Sequence, residues 1–416
     1  MDNLHILIIS QYFHPEHFRI NKVASNLIGL GYRVTVLTGK PNYPEGRFYK
    51  GFRPLVFTES LEAGIRIFRT PIIRRGRKNK VLLFLNYLSF VLSASFFGWL
   101  KLRKERFDLV YCYAPSPIIQ ALPAIFLARL SSAPVVLNVQ DLWPQSLAAS
   151  GNITNQRALK IIGLLVGFIY QKCSLIIGSS RPFVSEIKKL APDSLVDYLP
   201  NSADADIEVN SENLENFQLE KSEIDKVFDV GFTCVFTGNL GKSQSLETLV
   251  SAAERLSSVP DIKIVIFGSG NQFSWLESQI SALGLSNLYL MGRYPAETMP
   301  YVLSKSSCLL CCLADTKIFR MTVPNKIQAY LAAGKPIIAC MAGEGARIVL
   351  DAKAGVVCSP GNGEALAGAI LKLKDSSAKE LKQFGINGKQ YFKKNFDDKL
   401  IMDELIKKFS QLVEKK

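Results

Sequence analysis

Short apolar runs rich in Val and Ile alternate along this chain with longer segments whose apolar positions recur at helical spacing. The runs predict strands buried on both faces and the segments predict helices laid over them, which is the pattern of parallel α/β folding. In the first half the predicted strands are 4–9, 33–38, 65–70, 109–113, 134–139 and 175–178, with helices at 20–30, 118–130 and 157–172. A polar, acidic stretch at 202–229 has little apolar periodicity and reads as a connection. A second series follows, with strands at 232–237, 263–267, 287–291, 308–313, 336–339 and 355–357.

Two such series in 416 residues predict two doubly wound, Rossmann-like domains facing a central cleft. The expected boundaries are 1–200 for the first domain, 201–229 for the link, 230–385 for the second domain, and 386–416 for C-terminal helices with a route back to the first domain.

One segment breaks the alternation. Residues 81–100 are almost wholly apolar, preceded by Arg66, Arg69, Arg74, Arg75, Arg77, Lys78 and Lys80 and followed by Lys101, Arg103, Lys104 and Arg106. At about 20 residues it has the length of a bilayer span. It nevertheless occupies the helical link of a βαβ unit, which must stay in one compartment, and its basic flanks give it no orientation. A helix lying in the membrane interface, over residues 74–106, is the preferred reading; a core helix and a true span are the alternatives. The net charge of +14 suits a phosphorylated substrate, an anionic membrane or nucleic acid, and no nucleic-acid module is evident.

Eight cysteines invite a metal reading, Cys308, Cys311 and Cys312 above all. They lie in an apolar, strand-like run with no second Cys or His pair at ligand spacing, so no metal is expected and the thiols read as reduced, small hydrophobes. After Met1-Asp-Asn the chain opens directly on a strand, so no signal peptide is expected, and a cytoplasmic location follows from the cysteine usage.

In doubly wound sheets ligands bind beyond the strand C-termini. In the second half this selects Gly238, Asn239, Gly241 and Lys242 after one strand, Gly268 after the next, and Glu344 and Gly345 in a Gly-Glu-Gly loop. It also selects a helix at 325–333, opened by Pro324 and closed by Gly334, whose first turn carries Asn325 and Lys326. Free N–H groups, a helix dipole and a lysine suit a diphosphate. In the first half the strand-end loops hold Glu16, His17, Tyr43, Asp141 and Trp143. Asp141 and Glu16 are the candidate general bases. Asp204-Ala-Asp206 matches an Asp-x-Asp metal pattern, but its place in the connection makes that a coincidence.

The ordered set Tyr12-Phe-His-Pro-Glu16, Leu37-Thr-Gly-Lys-Pro-Asn-Tyr-Pro44, Val139-Gln-Asp-Leu-Trp-Pro144, Leu199-Pro-Asn201, Phe236-Thr-Gly-Asn-Leu-Gly241, Phe267-Gly-Ser-Gly270 and Pro324-Asn-Lys-Ile327 resembles family 4 glycosyltransferases of the GT-B fold. The resemblance is nearest to bacterial enzymes of O-antigen, lipopolysaccharide and colanic-acid assembly, L-fucosamine transferases in particular. It implies a UDP-sugar donor on the second domain, a polyprenyl-diphosphate-linked sugar acceptor on the first, no cofactor and no metal. It also implies peripheral attachment to the inner face of the plasma membrane. His17, Tyr43 and Trp143 are then the candidate acceptor contacts. Three departures stand out. Asn239 and Gln244 replace the family's usual diphosphate-binding Arg and Lys, Met321 and Ala329 replace its two glutamates, and Gln140 replaces a histidine. The donor charge must therefore fall to Lys242 or Lys326, and the sugar contacts to Glu344. A UDP-sugar 2-epimerase of similar fold and a non-catalytic membrane-binding protein are the rival readings.

Overall fold

The computed structural model describes residues 4–76, 79–149, 153–203, 214–229 and 231–414. Arg77, Lys78 and the Asp204-Ala-Asp206 motif lie outside the described residues. The chain divides into two compact units, Met1–Leu199 with Met402–Lys416, and Pro200–Ile401.

The first unit runs β1 (His5–Ile9), α1 (Arg19–Gly29), β2 (Arg33–Gly39), β3 (Thr58–Glu62), β4 (Ile65–Thr70), α2 (Lys80–Leu102) and β5 (Leu109–Ala114). It continues through α3 (Ala121–Ser131), β6 (Val135–Val139), α4 (Gln145–Ala149), α5 (Gln156–Gln171), β7 (Leu175–Gly178), α6 (Arg181–Leu190) and β8 (Val196–Tyr198). The sheet order is β3-β4-β2-β1-β5-β6-β7-β8, with β3 alone antiparallel to its neighbour. The short, polar edge strands β3 and β8 escaped the sequence reading because neither carries a continuous apolar run. The chain leaves β1 toward β2 and later returns to β5 on β1's other side, so the loops after β1 and β5 part at a topological switch point.

The second unit begins with α7 (Leu214–Phe228), β9 (Phe232–Thr237), α8 (Leu246–Arg255), β10 (Ile262–Phe267), α9 (Phe273–Leu283), β11 (Leu288–Gly292) and α10 (Met299–Lys305). Next come β12 (Cys308–Cys312), α11 (Lys317–Met321), α12 (Asn325–Ala333), β13 (Ile337–Cys340) and α13 (Glu344–Asp351). The series ends with β14 (Gly355–Cys358), α14 (Gly363–Lys374) and α15 (Ala378–Asn395). Its parallel sheet has the order β11-β10-β9-β12-β13-β14, which puts the switch point between β9 and β12. Cys234 and Phe236 of β9 point into one buried cluster and Val235 into the other, so this central strand is covered on both faces. Cys308, Cys311 and Cys312 are buried in β12.

The stretch read as a connection needs correction, because it contains α7. Ile224 of that helix is fully buried beside Val235 and Val265, with Val227 and Phe228 packed on the same cluster. Those three positions are i, i+3 and i+4, a helical signal short enough to be masked by the surrounding charges. The last helix, α16 (Asp398–Glu414), joins the first unit from Met402 onward. There Phe409 meets the Tyr111 ring edge-on and Lys408 pairs with Asp197.

Helix α2 is long and apolar enough to cross a membrane. It connects β4 and β5, two strands of one sheet, so both of its ends return to the same layer. A stripe at every fourth residue, Asn86, Phe90, Ala94, Gly98 and Leu102, is its buried face. Gly98 permits close packing, since a Cβ there would stand 2.6 Å from Leu127 of α3 and 3.0 Å from Leu37 of β2. Asn86 fixes the helix to the strand-end loops. Its Oδ1 accepts from Gln11 Nε2 at 2.7 Å and its Nδ2 donates to the Ile73 carbonyl at 2.6 Å. Replacing Asn86 by Leu should cost about 1–3 kcal/mol, because a buried donor and a buried acceptor both lose their partner; urea unfolding of the two proteins measures the difference.

Candidate functional site

In the first unit the loops after β1 and β2 are tied together by one carboxylate. Glu16 is buried, and its Oε1 accepts the backbone N–H groups of Asn42 at 2.7 Å and Tyr43 at 2.6 Å. Burial pushes its carboxyl up to about 7, against the pull of the Tyr43, Asn42 and Phe13 N–H groups. Expected as a base open to substrate, Glu16 is instead a clamp that fixes the loop carrying Tyr43. The Tyr43 ring is exposed and packs against Tyr12 and Phe18. Arg75 lies 5.2 Å from the Tyr43 ring centroid and donates to the Tyr12 hydroxyl at 2.7 Å, so a cation borders this aromatic cluster. His17 is exposed on the neighbouring loop.

Asp141 follows β6 and is half-buried. Burial raises its carboxyl above the usual range, against the pull of the polar groups of Ser146, Ser116 and Trp143 nearby. Trp143 itself is buried and its indole N–H reaches Ser116 Oγ at 3.0 Å. That corrects its expected role as an open acceptor contact: the ring supports the Asp141 loop. Tyr87 of α2 lies close to the same groups, and burial raises its hydroxyl above the usual range. Ser116 was given no role of its own from the sequence, Arg75 was read only as part of the basic flank, and Tyr87 was not singled out. Ser116 stands in a strand-end loop, where position alone could have found it, whereas Tyr87 and Arg75 lie in the apolar helix and its basic flank.

In the second unit the close approaches are backbone to backbone. Gly238, with φ of 122°, turns the chain after β9, and its N–H bonds the Phe267 carbonyl at 2.8 Å. A Cβ on Gly268 would stand 1.9 Å from the Gly238 carbonyl oxygen, and one on Gly270 2.3 Å from that of Leu240. Only hydrogen fits at either place. Lys326, in the first turn of α12, reaches this turn: a Cβ on Gly238 would be 2.9 Å from its Cε. Its ammonium lies 3.5 Å from the Phe236 ring centroid and donates to Gln244 Oε1 at 2.5 Å. Burial lowers its pKa to about 8. Four residues on, Tyr330 accepts the Thr237 N–H at 3.1 Å and locks α12 against β9.

Pro324 gives α12 no side-chain cap, so the N–H groups at the start of its first turn, at exposed Asn325 and at Lys326, have no capping side chain. The start of α13 meets the same place, since a Cβ on Gly345 would be 3.1 Å from Pro324 Cδ. Glu344 is buried there, its two oxygens receiving Arg347 Nη2 at 2.7 Å and Nε at 3.0 Å. The structure therefore brings together Gly238, Gly268, Asn325, Lys326, Glu344 and Gly345, while Gly241 is buried and Asn239 and Lys242 are exposed in the turn beside them. Gln244, noticed only as a departure from the family pattern, is the residue that orients Lys326. Two uncapped helix starts and a lysine form a cradle for an anion.

Two family models match the chain, the "Glycosyl transferase 4-like domain" over residues 17–202 and "Glycosyl transferases group 1" over residues 220–391. WcaI of Escherichia coli strain K12, named for colanic acid biosynthesis and glycosyl transfer, is 24% identical over 353 residues, covering 79% of this chain and 81% of its own. Among solved structures, a sucrose-phosphate synthase from Thermosynechococcus elongatus superposes with a TM-score of 0.77 at 14% identity, over 99% of this chain and 100% of its own. HepE of Anabaena, solved in complex with UDP, gives 0.68 at 14% identity over 99% and 100%.

The backbone contacts at the glycine turn give a direct test. Gly268→Ala should lower stability by about 1–3 kcal/mol, because its Cβ must displace a carbonyl rather than a mobile side chain. Gly284→Ala, where no atom stands within 4 Å, measures in the same urea titration the backbone cost of a glycine in the left-handed region alone.

Proposed function

The chain is a glycosyltransferase of the GT-B fold, and we propose that it moves a sugar from a UDP-sugar to a polyprenyl-diphosphate-linked sugar acceptor in bacterial surface-polysaccharide assembly. The second unit holds the donor and the first the acceptor. The observation that carries this reading is the position of Lys326, a half-buried ammonium at an uncapped helix start beside the Gly238 turn. As the glycosidic bond to UDP breaks, negative charge grows on the β-phosphate. Fixed N–H groups and an ammonium already in place stabilise it without reorganisation. Asp141 accepts the proton of the attacking hydroxyl, with Ser116 and Trp143 beside it favouring its charged form. Glu16 positions Tyr43 and the aromatic cluster, against which an acceptor sugar can stack. The reaction is expected to need no metal. The likeness to WcaI supports a surface-polysaccharide role, and the sequence motifs make N-acetyl-L-fucosamine the first donor to try, as for the L-fucosamine transferase WbuB. Helix α2 attaches the enzyme peripherally to the inner leaflet, where such acceptors reside.

Labelled sugar supplied from a panel of UDP-sugars, UDP-N-acetyl-L-fucosamine included, should pass to a polyprenyl-diphosphate N-acetylglucosamine acceptor with or without EDTA. Consumption of the UDP-sugar without acceptor would favour the epimerase reading instead. Asp141→Asn and Lys326→Ala should each reduce turnover by about 100-fold or more while the circular-dichroism melt stays in place. Near wild-type turnover in either removes that residue from the mechanism.

The lowered pKa of Lys326 fixes the direction of a pH effect. Its ammonium persists below about 8 and is lost above, so UDP affinity should be full near neutrality and fall as pH rises through that value. Calorimetric titration of UDP across this range should show the fall in the native enzyme and a flat profile in Lys326→Met.

A further inference from the structure

We propose that α5 is a second lipid-docking helix, so that the first unit meets an anionic bilayer through α2 and α5 together. The inference rests on the peripheral attachment proposed for α2 and extends it to a helix of ordinary length and unremarked sequence.

The observations begin with the direction in which α5 faces. An amphipathic helix in a soluble domain turns its apolar stripe inward. Helix α5 buries Leu159, Val166, Ile169 and Tyr170, and yet it carries a second apolar stripe on the outside. Ile161, Leu164, Leu165 and Phe168 are 67%, 69%, 37% and 46% exposed. Their spacing is i, i+3, i+4 and i+7, one continuous helical face. One turn before and one turn after, the same line reaches Arg157 and Lys172, both exposed. Lys172 lies 5.7 Å from the Phe168 ring centroid. Apolar length bounded by cations is the arrangement that places side chains in hydrocarbon and charges among phosphates.

Helix α2 repeats the arrangement. Opposite its buried stripe, Phe84, Leu88, Leu92 and Phe96 are 61%, 38%, 63% and 56% exposed, and Arg103 lies 4.8 Å from the Trp99 ring centroid near the C-terminal end. The two helices share a layer. The steps β4 to β5, β5 to β6 and β6 to β7 all advance the same way along the sheet, so right-handed crossovers put α2, α3 and α5 on one side. Both α2 and α5 touch the turn at Ile118–Gln120 that opens α3, and α3 adds exposed Phe126 and Leu130 to the face.

Charge decides the occupant. None of α2, α3 and α5 contains an Asp or Glu, and every charged residue on them is basic. A second copy docking through this face in two-fold symmetry would oppose like charges, which is unfavourable. Anionic headgroups over hydrocarbon complement both the cations and the apolar stripes.

Flotation with vesicles of phosphatidylcholine, with and without phosphatidylglycerol, tests the assignment. The full chain should float with the anionic vesicles. Ile161→Asp with Leu164→Asp should lower the vesicle partition coefficient by at least about tenfold, with UDP affinity and the melt unchanged. Arg157→Glu with Lys172→Glu, which leaves the apolar stripe intact, should lower it on anionic vesicles alone. If the native chain does not float, the peripheral reading and this inference fall together. If it floats and both α5 variants float equally well, α5 is overturned and the α2 reading stands. Should light scattering instead show a lipid-free dimer that the aspartate variant dissociates while flotation is unchanged, the face belongs to a second copy and the lipid assignment is wrong.

Discussion

The ammonium of Lys326 is the charge around which the second unit is organised. Water solvates a lysine well, and moving one against an aromatic face and a glycine turn costs free energy unless an opposite charge follows it. Gln244 supplies a dipole, Phe236 a negative ring face, and no carboxylate among the described residues pairs with it. The lowered pKa expresses that incomplete compensation. A diphosphate bound there, as proposed, would complete it, and the same desolvation that weakens the free ammonium would strengthen its attraction for the leaving group.

Holding that lysine there depends on backbone proximity rather than on further charge. The sheet order reverses between β9 and β12, which opens a gap beyond β9 where no crossover helix intrudes. Gly238, Gly268 and Gly270 let the β9 and β10 turns touch through their main chains, and Tyr330 fixes α12 to β9 through the Thr237 N–H. Position in the sheet thus comes first, glycine second, and the charged side chain last. The family's usual arginine and lysine are replaced by Asn239 and Gln244 without loss of a cation at the turn, because Lys326 comes to Gln244 from another element.

Much of this was legible in sequence. Twelve of the strands declare themselves as continuous apolar runs because a strand covered on both faces has no polar alternative. The edge strands β3 and β8 and the helix α7 carry no such run and were missed. The glycine turn after β9 and the bounds of α12 were legible because glycine, proline and helix-start rules act locally at Gly238, Pro324 and Gly334. The roles of Glu16 and Trp143 were not. Whether a carboxylate is an open base or a buried clamp depends on which N–H groups a distant loop presents, here those of Asn42 and Tyr43. An indole likewise declares itself a support only when Ser116 is seen to receive its N–H.

The two faces of α2 join the strand-end loops of the first unit to the outward surface. Its inner side carries Asn86, whose amide joins Gln11 after β1 and the Ile73 carbonyl after β4. Its outer side is bare hydrocarbon bounded by cations. One rigid helix cannot move on one face without moving on the other. A displacement of the outer face would therefore reach the loops after β1 and β4 through Asn86. Under the proposed function, an acceptor whose reacting sugar is tied by a diphosphate to a lipid surface would meet loops whose depth is set by the helix proposed to dock there, so that membrane docking and acceptor alignment would become one geometric constraint.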